Sequence, residues 1–180
     1  MGHKFLIMSI KIFLTIIFLG FFTFCNGQVA SMWDRWSWLL GEWQGEGSGQ
    51  PGQGRGSFTF KTDLDQKVLV RKSHSEYPAK ENKPKIIHDD LMIIYPDFSG
   101  NPVKAIYFDN EGHTINYSIT YTEKTIALTS EMIPNVPVFR LIYSLLEDLS
   151  VNTVFEISRD GKIFSKYIEG RSRRTAGSVN

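Results

Sequence analysis

Three groups of residues in this sequence carry side chains able to do chemistry. Asp109, Glu111 and His113 fall within five residues of one another. Two carboxylates that close to an imidazole can orient it as a base or hold a cation weakly. A polar hairpin end whose histidine packs on Tyr107 has the same composition, so we expect no catalytic residue and no metal site there. His88-Asp89-Asp90 is the second group. Neighbouring residues of a strand point to opposite faces, so Asp89 and Asp90 cannot share one ion without a bulge, and a solvated strand entrance is expected. The third is Arg140 with Glu156, on segments joined at Glu147-Asp148. A turn there sets them nearly opposite, and one residue of register decides whether they face in or out. Facing in, they form a buried ion pair suited to holding a carboxylate.

The longest alternation sets His113, Ile115, Tyr117, Ile119 and Tyr121 against Thr114, Asn116, Ser118 and Thr120. One face is apolar and aromatic and the other neutral and polar, so the aromatic face turns inward. Phe139, Leu141, Tyr143 and Leu145 repeat the pattern, as do Val151, Thr153, Phe155 and Ile157. An aromatic interior with scattered hydroxyls suits a small apolar or amphipathic ligand fixed by a few polar groups. Tyr117, Tyr121 and Tyr143 are the expected walls, His113 the residue at the mouth, and Tyr107 and Arg140 its neighbours. Small barrels can also fill their interior with side chains.

The elements that position these residues are short strands from Ser57 to Arg173. Breaker-rich turns separate them, among them Pro96-Asp-Phe-Ser-Gly-Asn-Pro102, Asn110-Glu-Gly-His113 and Asp160-Gly161. About ten strands at even spacing predict an all-β chain, a single antiparallel up-and-down barrel. Val68–Tyr77 and Leu91–Tyr95 are apolar on both faces, which fits a covered barrel outside or a homodimer interface. Before the strands, Met32, Trp33, Trp36, Leu39 and Leu40 suit a short N-terminal helix that closes one end and stops at Gly41.

The stretch Trp36-Ser-Trp-Leu-Leu-Gly-Glu-Trp-Gln-Gly-Glu-Gly47 holds three tryptophans and three glycines. A Gly-x-Trp at the first strand, here Gly41-Glu-Trp43, followed by about 130 residues of short strands, resembles the calycins: lipocalins, fatty-acid-binding proteins and nitrobindin-like barrels. The resemblance implies an arginine of the last strand packed over the first-strand tryptophan. Arg171 is the expected residue and Arg173 the alternative. It implies luminal arginines that hold a carboxylate, as in fatty-acid-binding proteins; Arg140 and Arg71 are similar. It also raises a haem reading, as in nitrobindin. Nitrobindins place the ligating histidine near the C-terminus, whereas the histidines here are His3, His74, His88 and His113. Tyr167 is the remaining candidate ligand. A third reading, an enzyme with His113 as base, lacks a serine elbow, a His-Glu-x-x-His and a cysteine.

Lys4 and Lys11 flank and interrupt an apolar run from Phe5 to Phe24, and Cys25-Asn-Gly27 supplies small residues at a cleavage site. We expect residues 1–27 to be a signal peptide and 28–180 to be the barrel domain, beginning at Gln28, exported to the periplasm or the exterior, with no membrane span left after cleavage. Cys25 is the one cysteine, so the mature chain would need no disulfide. With 20 Lys+Arg against 19 Asp+Glu there is no basic excess to drive nucleic-acid binding. A small-molecule ligand is the expected partner.

Overall fold

A computed structural model describes residues 31–47, 55–79 and 84–176. The expected signal peptide lies outside the described residues. Among the described residues, no helix is long and apolar enough to cross a membrane.

Ten strands form: β1 (Gly41–Gly45), β2 (Arg55–Asp63), β3 (Val68–Tyr77), β4 (Ile86–Tyr95), β5 (Lys104–Asp109), β6 (Thr114–Tyr121), β7 (Thr125–Ser130), β8 (Val138–Leu145), β9 (Val151–Ser158) and β10 (Ser165–Arg174). Each pairs antiparallel with its sequence neighbour, and β1 pairs with β10 to close the barrel. The β5–β6 and β9–β10 turns use glycine where the sequence asks for it: Gly112 has φ of 92° and Gly161 of 70°. Gly41, at 107°, gives the backbone a left-handed step just before Trp43.

The N-terminal element is a correction. It is a single 3-10 turn, Asp34–Trp36, rather than a helix. The buried residues explain why: Trp33, Trp36 and Leu39 are at most 3% exposed, while Met32 is 38% exposed. A repeat of three aligns on one face of a 3-10 turn and drifts off an α-helical one. This segment plugs the barrel. Trp36 packs on Phe60 and edge-on against Tyr121, with ring centroids 5.7 and 6.1 Å away. Its Nε1–H donates to Tyr121 Oη at 2.9 Å. Trp33 donates to the Gln66 carbonyl, 2.8 Å away in the β2–β3 turn, and Trp43 donates to the Leu39 carbonyl at 2.8 Å. Burying about 200 Å² of one indole contributes roughly 5 kcal/mol.

The register fixes what faces inward. Trp43 opposes Phe58, Phe58 opposes Ser73, Arg71 opposes Met92, and Ala105 opposes Tyr117. Near the plug these side chains make a closed aromatic core of Trp36, Trp43, Phe58, Phe60 and Tyr143. Toward the other end the inward residues Ser75, Tyr77, His88, Tyr107, Phe139 and Phe155 are only half-buried, so the lumen opens there.

Candidate functional site

The polar centre of the lumen comes from β3 and β4. Arg71 stands on β3 between Leu69 and Ser73 and is 7% exposed. Asp90 lies across the ladder, one step toward the mouth, opposite Ser73. Arg71 NH1 donates to Asp90 Oδ1, and the two side chains are 9% and 6% exposed. The guanidinium also lies over the rings of Phe58 and Tyr143, 5.8 and 6.0 Å from their centroids. Burial pushes the Asp90 carboxyl up against the opposing pull of Arg71, His88 and Ser73. Arg71 remains a cation throughout.

Around the pair stand tyrosines. Burial holds the phenols of Tyr107 and Tyr117 far above the ordinary range, with Asp90 and Asp109 adding to it. Tyr143 is pushed up to about 12 by burial, with Arg71 pulling the other way. Tyr107 and Tyr117 meet edge-on, with centroids 6.5 Å apart. His88 leans in from β4, its Nε2 3.0 Å from Tyr107 Oη and its Nδ1 3.1 Å from Glu111. Tyr107 in turn donates to Asp109 at 3.3 Å.

Among the described residues, three buried polar atoms of this layer make no well-formed hydrogen bond: Arg71 Nε, Tyr143 Oη and Thr153 Oγ1, although the Arg71 guanidinium is near enough to the Tyr143 hydroxyl to pull its pKa down. Thr153 lies directly opposite Tyr143 across β8 and β9, on the same inward face. Buried polar groups in native proteins are almost always satisfied, by protein or by something bound. The three atoms are enclosed among aromatic rings at the inner end of the lumen.

The expected site residues divide. Tyr107, Tyr117 and Tyr143 line this layer together. Tyr121 belongs to the plug instead: it receives the Trp36 N–H, donates to the Pro102 carbonyl, and lies under the Arg35 guanidinium. His113 stands at the rim, 61% exposed, with Nδ1 2.8 Å from Asp109. Burial raises the Asp109 carboxyl, but backbone and ring donors from His113 and the Glu111 N–H outweigh it, leaving it below its ordinary value. This triplet caps a hairpin.

Arg140 faces outward, a correction to its expected place at the lumen. It does oppose Glu156, with Nε 2.7 Å from Oε2, but on the outer face, stacked 3.7 Å above Phe164. Arg171 and Arg173 are likewise outside, tied to Glu46 and Asp148. Arg174 is the residue over Trp43, 4.5 Å from its centroid, with NH2 donating to the Trp38 carbonyl at 2.7 Å. The cause is a β-bulge in β10 between Lys166 and Ile168. Counting straight from Ser165, which opposes the inward Ile157, puts Arg171 and Arg173 inside; the extra residue flips the parity.

Asp90, expected at a solvated strand entrance, is buried, and Thr153 lies on the inward face expected for Val151, Thr153, Phe155 and Ile157. Asp89 and Asp90 do split between faces: Asp89 pairs outside with His74, at 2.6 Å. A concavity of about 580 Å³ lies over β2–β5, lined mostly by outward residues such as Lys72, His74, Asp89 and Phe108. Phe58, Ser73, Asp90 and Asp109 of the inward face line it as well, and the Asp90 and Asp109 side chains are buried. Among the described residues, no group of three or more histidines, cysteines and carboxylates could hold a metal ion.

A haem would need an axial donor on the lumen wall. Both ring nitrogens of His88 are engaged, and Tyr167 sits at the rim, 69% exposed, edge-on to Phe155. The residues present do not fit it.

No family model matches the chain, and no curated protein matches it. Among solved structures, Rv2717c from M. tuberculosis matches 81% of this chain and 98% of its own at 14% identity, with a TM-score of 0.54. That likeness shows the fold alone.

Proposed function

We propose that this chain is an exported calycin-type barrel that binds a small, mostly apolar ligand in the open half of its lumen. The observation that carries the reading is the trio of buried, unpartnered atoms: Arg71 Nε, Tyr143 Oη and Thr153 Oγ1. A barrel filled for stability alone has no use for hydroxyls at that depth, because each costs free energy unless bonded. The half-buried rings of Tyr107, Phe139 and Phe155 above them supply apolar walls open to solvent. Calycin kinship is supported by the first-strand Trp43 lying under a last-strand arginine, Arg174. Export rests on the sequence of residues 1–27, with the mature chain starting at Gln28 in the periplasm or outside the cell.

Native mass spectrometry of protein purified from its own host tests the binding reading. A small molecule should accompany the folded protein and leave on denaturation. A bare apoprotein spectrum, with a crystal structure in which those three atoms bond to neighbouring side chains, would remove it. N-terminal sequencing of the same sample should begin at Gln28; a chain still carrying Phe5–Phe24 would contradict export by cleavage.

A further inference from the structure

The outside of the barrel is not uniform. The outward residues of β6 are Thr114, Asn116, Ser118 and Thr120, all exposed and polar. Those of β10 include Glu169, Arg171 and Arg173, all exposed and charged. From β3 to β5 the outward face is apolar instead. The register sets Val70, Ile93 and Ile106 side by side across the three strands. One step toward the mouth Leu91 stands beside Phe108, and one step toward the plug lies Tyr95. The aliphatic side chains are half-buried, while Tyr95 and Phe108 are 36% and 37% exposed. All ten strands lie in the barrel wall, so none of them covers this face. A contiguous apolar patch with no charge at its centre has the composition of a protein interface core.

The corners of the patch say what fits it. Lys72 stands beside Leu91 on the mouth side, and Lys104 beside Tyr95 on the plug side, diagonally opposite. Among the described residues neither forms an ion pair; Lys104 Nζ donates to Ser118 Oγ at 3.1 Å. Phe108 occupies a third corner. A wholly apolar partner would strip water from these lysines and offer nothing in return. A second copy offers an aromatic ring. Any two-fold axis lying in the contact and passing through the patch centre sets Ile93 against its own copy. An axis along β4 then sets Lys72 over Phe108 of the second copy, and an axis across the strands sets Lys104 there. Either way symmetry makes the lysine–ring contact twice and leaves the other lysine at the rim.

We propose that two copies of this chain associate through the outer face of β3–β5, with Ile93 at the two-fold axis and Phe108 under a lysine of the second copy. The contact lies on the flank of the barrel, so both mouths stay open. Its core holds fewer side chains than the about 20–30 residues per partner of a standard interface, so the dimer should dissociate in the micromolar range.

Sedimentation velocity of the exported protein tests this. It should run as a dimer at about 200 μM and as a monomer at about 1 μM. Ile93→Lys sets two like charges face to face at the axis and should raise the Kd at least about 100-fold, leaving a monomer with an unchanged far-UV spectrum. If that variant does not fold, Ile93→Thr keeps a β-branched residue and should still raise the Kd about tenfold. Lys72→Ala and Lys104→Ala separate the two axes: the one that weakens the dimer about two- to fivefold marks the lysine over Phe108. A monomer at about 200 μM would overturn the proposal, whether another protein or another part of the chain covers the face. A dimer that survives the Ile93 substitutions would place the contact elsewhere and overturn it too. A dimer sensitive at Ile93 but to neither lysine would overturn the lysine–ring contact.

Discussion

At the plugged end, the indole N–H groups of Trp33, Trp36 and Trp43 each find an acceptor within 2.9 Å, and the phenol of Tyr121 is bonded on both sides. At the centre of the lumen, the phenol of Tyr143, the hydroxyl of Thr153 and the Nε of Arg71 find none. Both regions use aromatic residues with one polar atom apiece, on neighbouring strands of one barrel. The difference lies in whether the chain returns to meet that atom. The 3-10 turn brings Trp36 down onto Tyr121 with an N–H for its hydroxyl, whereas Tyr143 is covered by the rings of Phe58 and Phe60 and by the Arg71 guanidinium. On the proposed reading, the first end is built for stability and the second leaves hydrogen bonds for a ligand.

The largest expected break of this contrast is Trp36→Ala. Removing a fully buried indole should cost roughly 3–5 kcal/mol, read by urea denaturation, while Tyr167→Ala at the mouth should change stability by no more than about 0.5 kcal/mol. Equal losses at the two ends would erase the distinction. Arg174→Ala should follow at about 1 kcal/mol, the worth of a cation–π contact over Trp43; Arg171→Ala should cost less, since its partners are exposed.

Asp109 gives a pH test. Its folded carboxyl titrates below the ordinary 3.8. A depressed carboxyl stabilises the fold above the unfolded value and loses that contribution as pH falls through the folded one. Asp109→Asn should therefore be less stable than wild type at pH 7, with the gap shrinking below pH 3.8. A gap independent of pH would show that the His113–Asp109 contact contributes nothing through charge. The smallest effect belongs to Tyr143→Phe. No bond is lost, so stability should hold within about 0.5 kcal/mol or rise; a loss well beyond that would mean the hydroxyl is bonded within the protein.

The barrel was legible because its turns carry glycine and asparagine where the backbone needs them and its strands alternate cleanly. The plug was misread because Trp33, Trp36 and Leu39 fit both a 3-10 and an α-helical repeat when Leu40 and Met32 are counted in. Arg174 was missed because a bulge at Tyr167 shifts every later residue of β10 by one face, and a bulge leaves no mark in composition. The Arg71–Asp90 pair was hidden for another reason. Residues 78–85 join β3 to β4 by a connection too long to dictate register, so nothing local says which β4 carboxylate meets Arg71. The tyrosines of the lumen were visible as a face; which of them are bonded depends on partners from other elements, Trp36 of the plug for Tyr121 and His88 with Asp109 for Tyr107.

A high-resolution crystal structure of the protein isolated from its own host addresses the central claim most directly. The account predicts continuous non-water density in the open half of the lumen, with a polar atom within hydrogen-bond distance of Arg71 Nε and Tyr143 Oη. A lumen packed solid, with Arg71 Nε, Tyr143 Oη and Thr153 Oγ1 bonded to one another or to neighbouring side chains, would contradict it.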